Sequence, residues 1–256
     1  DPFGDETRDK PHASMRLALE TEGLTPGEHE LAVVFTIDED WHLYWKNPGE
    51  TGLAPSFELT LPDGVERVGQ TRWPAPERYV HGGGQIIDFI YEDEFALLIP
   101  VRVSESLVGS SVEFRADGFW LVCKEACIPG EGVATLRVGV GDDAGGASAD
   151  AGVIEASRER TPIERLSDIG ATARWDGLTL AIDAPGAGGV EYFPIAPDIG
   201  GPADLIREGA TDGDALRVRF DERVARADEV VGMIGVTRDG RERFVEITLP
   251  APRLSE

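Results

Sequence analysis

The sequence predicts an all-β protein built as two antiparallel β-sandwiches in tandem, joined by a linker with a short helix. Three observations predict it. Short alternating or apolar segments recur along all 256 residues, glycine (31) and proline (17) are plentiful between them, and stretches of helical period are few.

The elements follow in order. His12 to Glu20 alternates, Glu30 to Ile37 is an apolar run, and Ser56 to Leu61 reads as a short strand. Phe95 to Val103 continues the pattern, Ser111 to Phe114 extends as a strand to Val122, and Val133 to Val140 is its hairpin partner. Turn residues fall between them at Pro26-Gly27, Asn47-Pro48-Gly49, Pro62-Asp63-Gly64 and Pro129-Gly130-Glu131-Gly132. Gly141 to Asp150 contains little that builds a core and reads as a linker. After it, Thr161 as N-cap, Pro162 at the first helical position and Glu164 three residues past the cap predict a short helix. Ile163, Leu166 and Ile169 supply its apolar stripe, the alternative being a solvated connector. From Ala173 the strands resume, at Leu178 to Ile182, Val190 to Phe193, Ala215 to Phe220, Val230 to Val236 and Phe244 to Leu249. Asp239-Gly240 closes the last two as a hairpin. The expected organisation is a first domain over 1–140, a linker over 141–172 and a smaller sandwich over 173–256.

Composition narrows the function. Hydrophobic residues at 41% and charged residues at 28% are normal for a folded domain. The 48 acidic residues against 24 basic ones give a net charge of -24, which repels phosphate backbones and excludes nucleic acid as a partner. No apolar run approaches the ~20 residues that span a bilayer. The start at Asp1-Pro2-Phe3-Gly4, without a signal peptide, is read as a mature or trimmed product.

The two cysteines, Cys123 and Cys127, lie in the stretch FWLVCKEACIPG. In an extended chain residues four apart are ~13 Å distant, whereas a disulfide needs Cα atoms within ~7 Å. A bond between them therefore demands a reversal at Lys124-Glu125-Ala126. As a staple the pair contributes only ~2 kcal/mol by chain entropy. As a zinc site it lacks ligands, since His12, His29, His42 and His81 show no ligand spacing. Soft Cu(I) accepts two thiolates. As a redox pair it has Lys124 adjacent, whose charge favours a thiolate, and Glu125 beside it with the opposite effect. By alternation Phe119 and Leu121 share the face of Cys123, with Trp120 and Val122 on the other, so apolar surroundings oppose Lys124. The residues favour the redox reading and leave the other two open.

A second stretch, DWHLYWKNPGETGL from Asp40 to Leu53, leads into Leu61-Pro62-Asp63-Gly64 and Arg72-Trp73-Pro74-Ala75-Pro76. Together with FWLVCKEACIPG it resembles the amino-terminal periplasmic region of the DsbD and ScsB membrane thiol-disulfide reductases, more closely the ScsB-like branch. The resemblance implies an immunoglobulin-like sandwich outside the cytoplasmic membrane, with a second such unit after residue 173. Cys123 and Cys127 would take electrons from a membrane-embedded reductase domain and pass them to oxidised thioredoxin-like proteins, without cofactor or metal. It also implies a periplasmic protein tethered to the inner membrane, and a loop that shields the cysteines. The matching segment runs from Tyr79 to Ile87, where Gly82, Gly83 and Gly84 form a hinge and Tyr79, His81, Ile86 and Ile87 the cover; an ordinary hairpin tip is the alternative. Trp41, Tyr44 and Trp45 read as core or rim in preference to partner contacts, and His42 as a packing residue in preference to a ligand. Two rival functions remain: a copper-tolerance module that binds Cu(I) through both thiols, and a non-redox interaction module with a structural disulfide.

Overall fold

In the computed structural model, which describes residues 11–163, 165–195 and 200–253, the alternation of the first half becomes ten strands. Residues 1–4 and Glu164, used above, lie outside the described residues. The strands are β1 (Ala13–Ala18), β2 (Gly27–Ile37), β3 (Leu43–Gly49), β4 (Ser56–Thr60), β5 (Val65–Arg67), β6 (Glu77–His81), β7 (Ile86–Tyr91), β8 (Glu94–Val103), β9 (Ser111–Cys123) and β10 (Cys127–Gly139). One sheet takes the order β1-β2-β8-β5 and another β10-β9-β4. Their inner faces meet where Phe35 on β2 packs edge-on against Trp120 on β9, the ring centroids 5.6 Å apart. A third sheet takes the order β3-β7-β6.

The chain groups into two units. The first holds the residues up to Pro48, Gly52–Glu77 and Phe89–Glu159; the second holds Gly49–Thr51, Arg78–Asp88 and the chain from Arg160. This moves the expected boundary at 140 to Glu159, and the reason lies in hydrogen bonds. The supposed linker is pinned to the first unit by backbone, with Glu22 N–H donating to Gly146 C=O (3.0 Å), Gly23 N–H to Ala144 C=O (2.7 Å) and Ser148 N–H to Glu20 C=O (2.8 Å). Backbone pairing of this kind leaves no trace in hydrophobic pattern.

The helix also lies earlier than expected, at α1 (Ala151–Glu159). Thr161 to Ile163 are not helical: Ile163 N–H donates to Phe244 C=O at 2.8 Å, and only Leu166–Ile169 make a 3-10 turn. The apolar stripe nevertheless serves the second unit, because Ile169 is buried in its core and Ile163 and Leu166 pack against it. In α1, Ile154 alone is a large fully buried residue, packed among Ala18, Ala32, Val34, Ala96 and Leu98. The Ser157 hydroxyl accepts from Ala96 N–H at 2.9 Å. This helix explains the unbroken apolar run of β2. Phe35 faces the sandwich interior while Ala32 and Val34 lie under α1, so both faces of the strand are covered.

Two expected turns are strand instead. Asn47-Pro48-Gly49 ends β3, and Pro129-Gly130-Glu131-Gly132 lies inside β10. In β10 the glycines make room for a ring. A Cβ at Gly130 would sit 2.3 Å from Trp120 Nε1, and one at Gly132 would sit 3.1 Å from Trp120 Cη2.

The second unit contains β11 (Thr172–Asp176), β12 (Thr179–Asp183), β13 (Gly189–Pro194), β14 (Ala210–Thr211), β15 (Ala215–Arg219), β16 (Glu229–Arg238) and β17 (Arg241–Pro250), with the short α2 (Leu205–Glu208). Sheets β11-β12-β15 and β14-β13-β16-β17 enclose a core that includes Leu180, Ile182, Tyr192, Val218 and Ile234. Asp239-Gly240 makes the β16–β17 turn with both residues left-handed (φ 50° and 74°). The segment 78–88 is bound into this unit at its base. Arg78 donates to the carbonyls of Leu205 (2.6 Å), Tyr192 (3.3 Å) and Gly209 (3.3 Å).

Candidate functional site

The site is built on the β9–β10 hairpin. Alternation along β9 sends Val112, Phe114, Ala116, Trp120 and Val122 into the core, and leaves Asp117, Phe119, Leu121 and Cys123 on the outer face. That is the face assignment the sequence predicts. Pairing with β10 continues beyond the expected start at Val133 as far as the cysteines, which are direct cross-strand partners. Their Cα atoms are 4.1 Å apart and the sulfurs are bonded. Lys124, Glu125 and Ala126 supply the reversal, Lys124 N–H donating to Ala126 C=O at 3.3 Å.

The two cysteines differ in access. Cys123 is 2% exposed, whereas Cys127 is exposed. The cause is the neighbour on the other side of β9. His42 and Cys123 exchange both backbone hydrogen bonds (2.9 and 3.0 Å), so Cys123 is flanked by chain on both edges and Cys127 on one.

The segment before β3 and β3 itself supply side chains. Leu43 and Trp45 are fully buried core residues, Trp45 edge-on to Phe89. On alternate positions His42 and Tyr44 turn towards the disulfide: the Tyr44 hydroxyl lies 3.8 Å from Cys127 Sγ, and His42 Nε2 lies 3.3 Å from that hydroxyl. Gly52 is required here, because its φ is 77° and a Cβ would stand 2.2 Å from the Tyr44 ring. Trp41 stacks on His12 with centroids 3.8 Å apart. Sequence reasoning placed the three aromatic rings correctly as packing groups but missed the Tyr44 hydroxyl. The signal was the two-residue spacing of His42 and Tyr44 opposite the apolar Leu43 and Trp45.

Lys124 stands at the tip, and its ammonium donates to Asp40 Oδ2 at 2.8 Å. That hydrogen bond, with the nearby Asp40, Glu125 and Glu39 charges, raises the Lys124 pKa. Its positive charge is thus shared with a carboxylate. The surroundings are acidic: burial, then Glu77, Asp93 and Asp40, push the Glu92 carboxyl above its ordinary range. Among the described residues no group of three or more His, Cys, Asp or Glu side chains is placed to hold a metal ion. A Cu(I) site here would rest on the two sulfurs of the reduced pair.

The cover candidates occupy the β6–β7 hairpin. Gly82, Gly83 and Gly84 are all left-handed (φ 60°, 71° and 82°), which is the conformation that favours glycine, and Gly84 N–H closes the turn onto His81 C=O at 3.0 Å. Tyr79 stacks on His81, and His81 Nε2–H donates to Asp88 Oδ2 at 2.9 Å. Asp88, 1% exposed, also accepts from Glu50 N–H, Thr51 N–H and the Thr51 hydroxyl. Ile87 is buried and Ile86 half-buried against Gly82. The sequence reading did not single out Asp88, the buried carboxylate that ties this hairpin to residues 50 and 51.

A β-sandwich with a disulfide at the tip of one hairpin, one of its cysteines exposed, defines a class: an immunoglobulin-like domain that carries a cross-strand disulfide on a turn. Residues 15–138 match the family model described as "Thiol:disulfide interchange protein DsbD, N-terminal". Among solved structures the chain is similar to the N-terminal periplasmic domain of ScsB from Proteus mirabilis, at 20% identity and a TM-score of 0.62, with 95% of each chain covered. That likeness establishes the two-unit, mostly β fold. The chain is also similar to BcpA, the major pilin subunit of Bacillus cereus, at 13% identity, TM-score 0.31, and coverage of 93% of this chain and 66% of that one; nothing rests on it. Comparison with curated protein sequences finds no match. No helix among the described residues is long and apolar enough to cross a membrane.

Proposed function

We propose that the chain is a periplasmic relay for electrons. The membrane-embedded domain of a thiol-disulfide reductase reduces Cys123–Cys127, and the dithiol then reduces an oxidised thioredoxin-like protein. The observation that carries this reading is the asymmetry of the pair, one cysteine exposed and one buried, inside a stretch that matches the DsbD N-terminal family. An incoming thiolate attacks the exposed Cys127 Sγ, breaks the S–S bond and releases Cys123 as thiolate. A second thiol of the reductant resolves the mixed disulfide, leaving both cysteines reduced and the reductant oxidised. In the forward half the Cys127 thiolate attacks the substrate disulfide; Cys123 then attacks Cys127, and the substrate leaves with two thiols. Two electrons pass in each half.

The chain's own groups serve these steps. The Tyr44 hydroxyl donates to the Cys127 thiolate, favouring its charged form, and His42 holds that hydroxyl in place. Lys124 adds a weaker field because Asp40 holds its ammonium. In this reading a tether to the inner membrane belongs to the full-length protein.

The test is thiol trapping of the pair in glutathione and thioredoxin buffers. A reduction potential in the range of about -120 to -270 mV, and a trapped mixed disulfide through Cys127 in a Cys123→Ser variant, is the expected result. A pair that stays oxidised below about -300 mV while the protein is folded would overturn the relay and leave a structural staple.

A further inference from the structure

Beside the disulfide the outer face of the β10-β9-β4 sheet carries a hollow that no step above uses. It has a volume of about 750 Å³ and is lined by Ser56, Glu58, Asp117, Phe119, Glu131 and Val133, with the backbone of the neighbouring strand residues as floor. Register places these side chains together. Ser56 and Glu131 both lie opposite Phe119, while Glu58 and Val133 both lie opposite Asp117. Phe119 is 40% exposed and Val133 56%, and together they make a contiguous apolar patch on a highly charged surface. Leu121 and Pro129, themselves cross-strand partners, continue the apolar strip to Cys123 and Cys127.

The hollow is also acidic. Asp117 is neutralised by a two-pronged ion pair with Arg115 (2.9 and 2.5 Å). Glu58 and Glu131 are exposed and have no ion pair among the described residues. The geometry points to a docking site for the oxidised substrate protein, filled by an aliphatic side chain flanked by lysine or arginine about 13 Å from the reacting sulfur. This rests on the relay reading and gives its substrate a chemistry.

Three arguments select that occupant. A specific interface buries about 800 Å² on each partner, a disc of about 16 Å radius, so a protein joined to Cys127 reaches Phe119 four residues up the strand. A second copy of this chain would bring Glu58 and Glu131 against its own acidic surface, with a net charge of -24 on each copy. A membrane-embedded domain in the same protein meets the pair at high effective concentration, whereas a free substrate gains most from charge steering.

Two six-residue peptides serve as probes, each with leucine four residues before a cysteine that carries a thionitrobenzoate mixed disulfide. In one the leucine is flanked by lysines, in the other by glutamates. The reduced protein attacks the peptide disulfide and releases coloured thionitrobenzoate, then closes its own disulfide and frees the peptide thiol. With two exposed charge pairs gained, the cationic peptide should react about fivefold faster at low salt. In the Glu58→Arg/Glu131→Arg variant that preference should reverse, and Phe119→Ser should slow both peptides. Equal rates for the two peptides in the native protein, or an unchanged preference in the charge-reversed variant, would overturn the docking site. So would a concentration-dependent dimer that buries Phe119, because the face then belongs to a second copy. Neutral hydroxyethyl disulfide is the control for the relay itself: a reduced protein that fails to reduce it has lost the redox reading and not merely the docking site.

Discussion

Two hairpins of this molecule share a construction and differ in what sits at their tips. In the second unit, β16 and β17 pair over ten residues each and are closed by Asp239-Gly240. In the first, β9 and β10 pair over thirteen residues each, and three residues between cysteines close them. Near the first tip the outer face carries Phe119, Leu121 and Pro129; the second tip carries Arg238, Arg241, Glu242 and Arg243, divided between both faces of the hairpin. The charged tip is engaged by its own unit, Arg238 and Arg243 donating to the carbonyls of Pro185, Gly170 and Asp168, whereas an apolar strip ending in a cross-strand disulfide is a surface that another protein can cover. The scaffold is common to both units, and the disulfide is set by five residues at one turn.

The comparison can be broken most strongly at Gly130. Adding a methyl group there drives a Cβ into the Trp120 indole, which is itself 2% exposed and cannot retreat. Gly130→Ala should therefore lower stability by about 2–3 kcal/mol, the usual cost of overpacking, seen as an earlier urea midpoint. The matching change in the other hairpin, Gly240→Ala, meets open space and carries only the strain of a left-handed φ of 74°. It should cost about 1 kcal/mol in the same titration. Equal losses at the two glycines would mean that Trp120 shifts freely and that β10 is not held by its ring.

The smallest effect sharpens the chemical half of the comparison. Tyr44→Phe removes the hydroxyl 3.8 Å from Cys127 Sγ and leaves the buried ring. A hydrogen bond to a thiolate is worth about 1.5 kcal/mol, so the Cys127 pKa should rise by about one unit. The more basic thiolate is the better nucleophile, which offsets part of the loss, and the reaction near neutral pH should slow about threefold. The titration of thiolate absorbance in a Cys123→Ser background checks it: an unmoved pKa would remove Tyr44 from the chemistry.

Much of this is legible in the sequence. Strand positions, the reversal at Lys124 to Ala126 and the sidedness of Phe119, Trp120 and Cys123 all follow from alternation, which is a local property. The reading of β10 failed where local and tertiary meanings of glycine diverge. Pro129-Gly130-Glu131-Gly132 has turn composition, yet its glycines serve the Trp120 ring from the adjacent strand. The helix was displaced for a similar reason. Thr161 to Glu164 has capping residues, but Ile163 is taken by the backbone of Phe244, while α1 persists on one buried isoleucine and a serine bonded to β8.

The sequence by itself determined the β architecture, the sign of the surface charge and the identity of the two cysteines that can pair, because strand period, charge count and cysteine number need no partner. Tertiary structure alone decided which sulfur is reachable and what touches it. Cys123 is shielded because the chain at His42, eighty-one positions earlier, pairs with its backbone, and Cys127 is open because among the described residues no strand pairs with its other edge. Neither fact is a property of the residues between the cysteines.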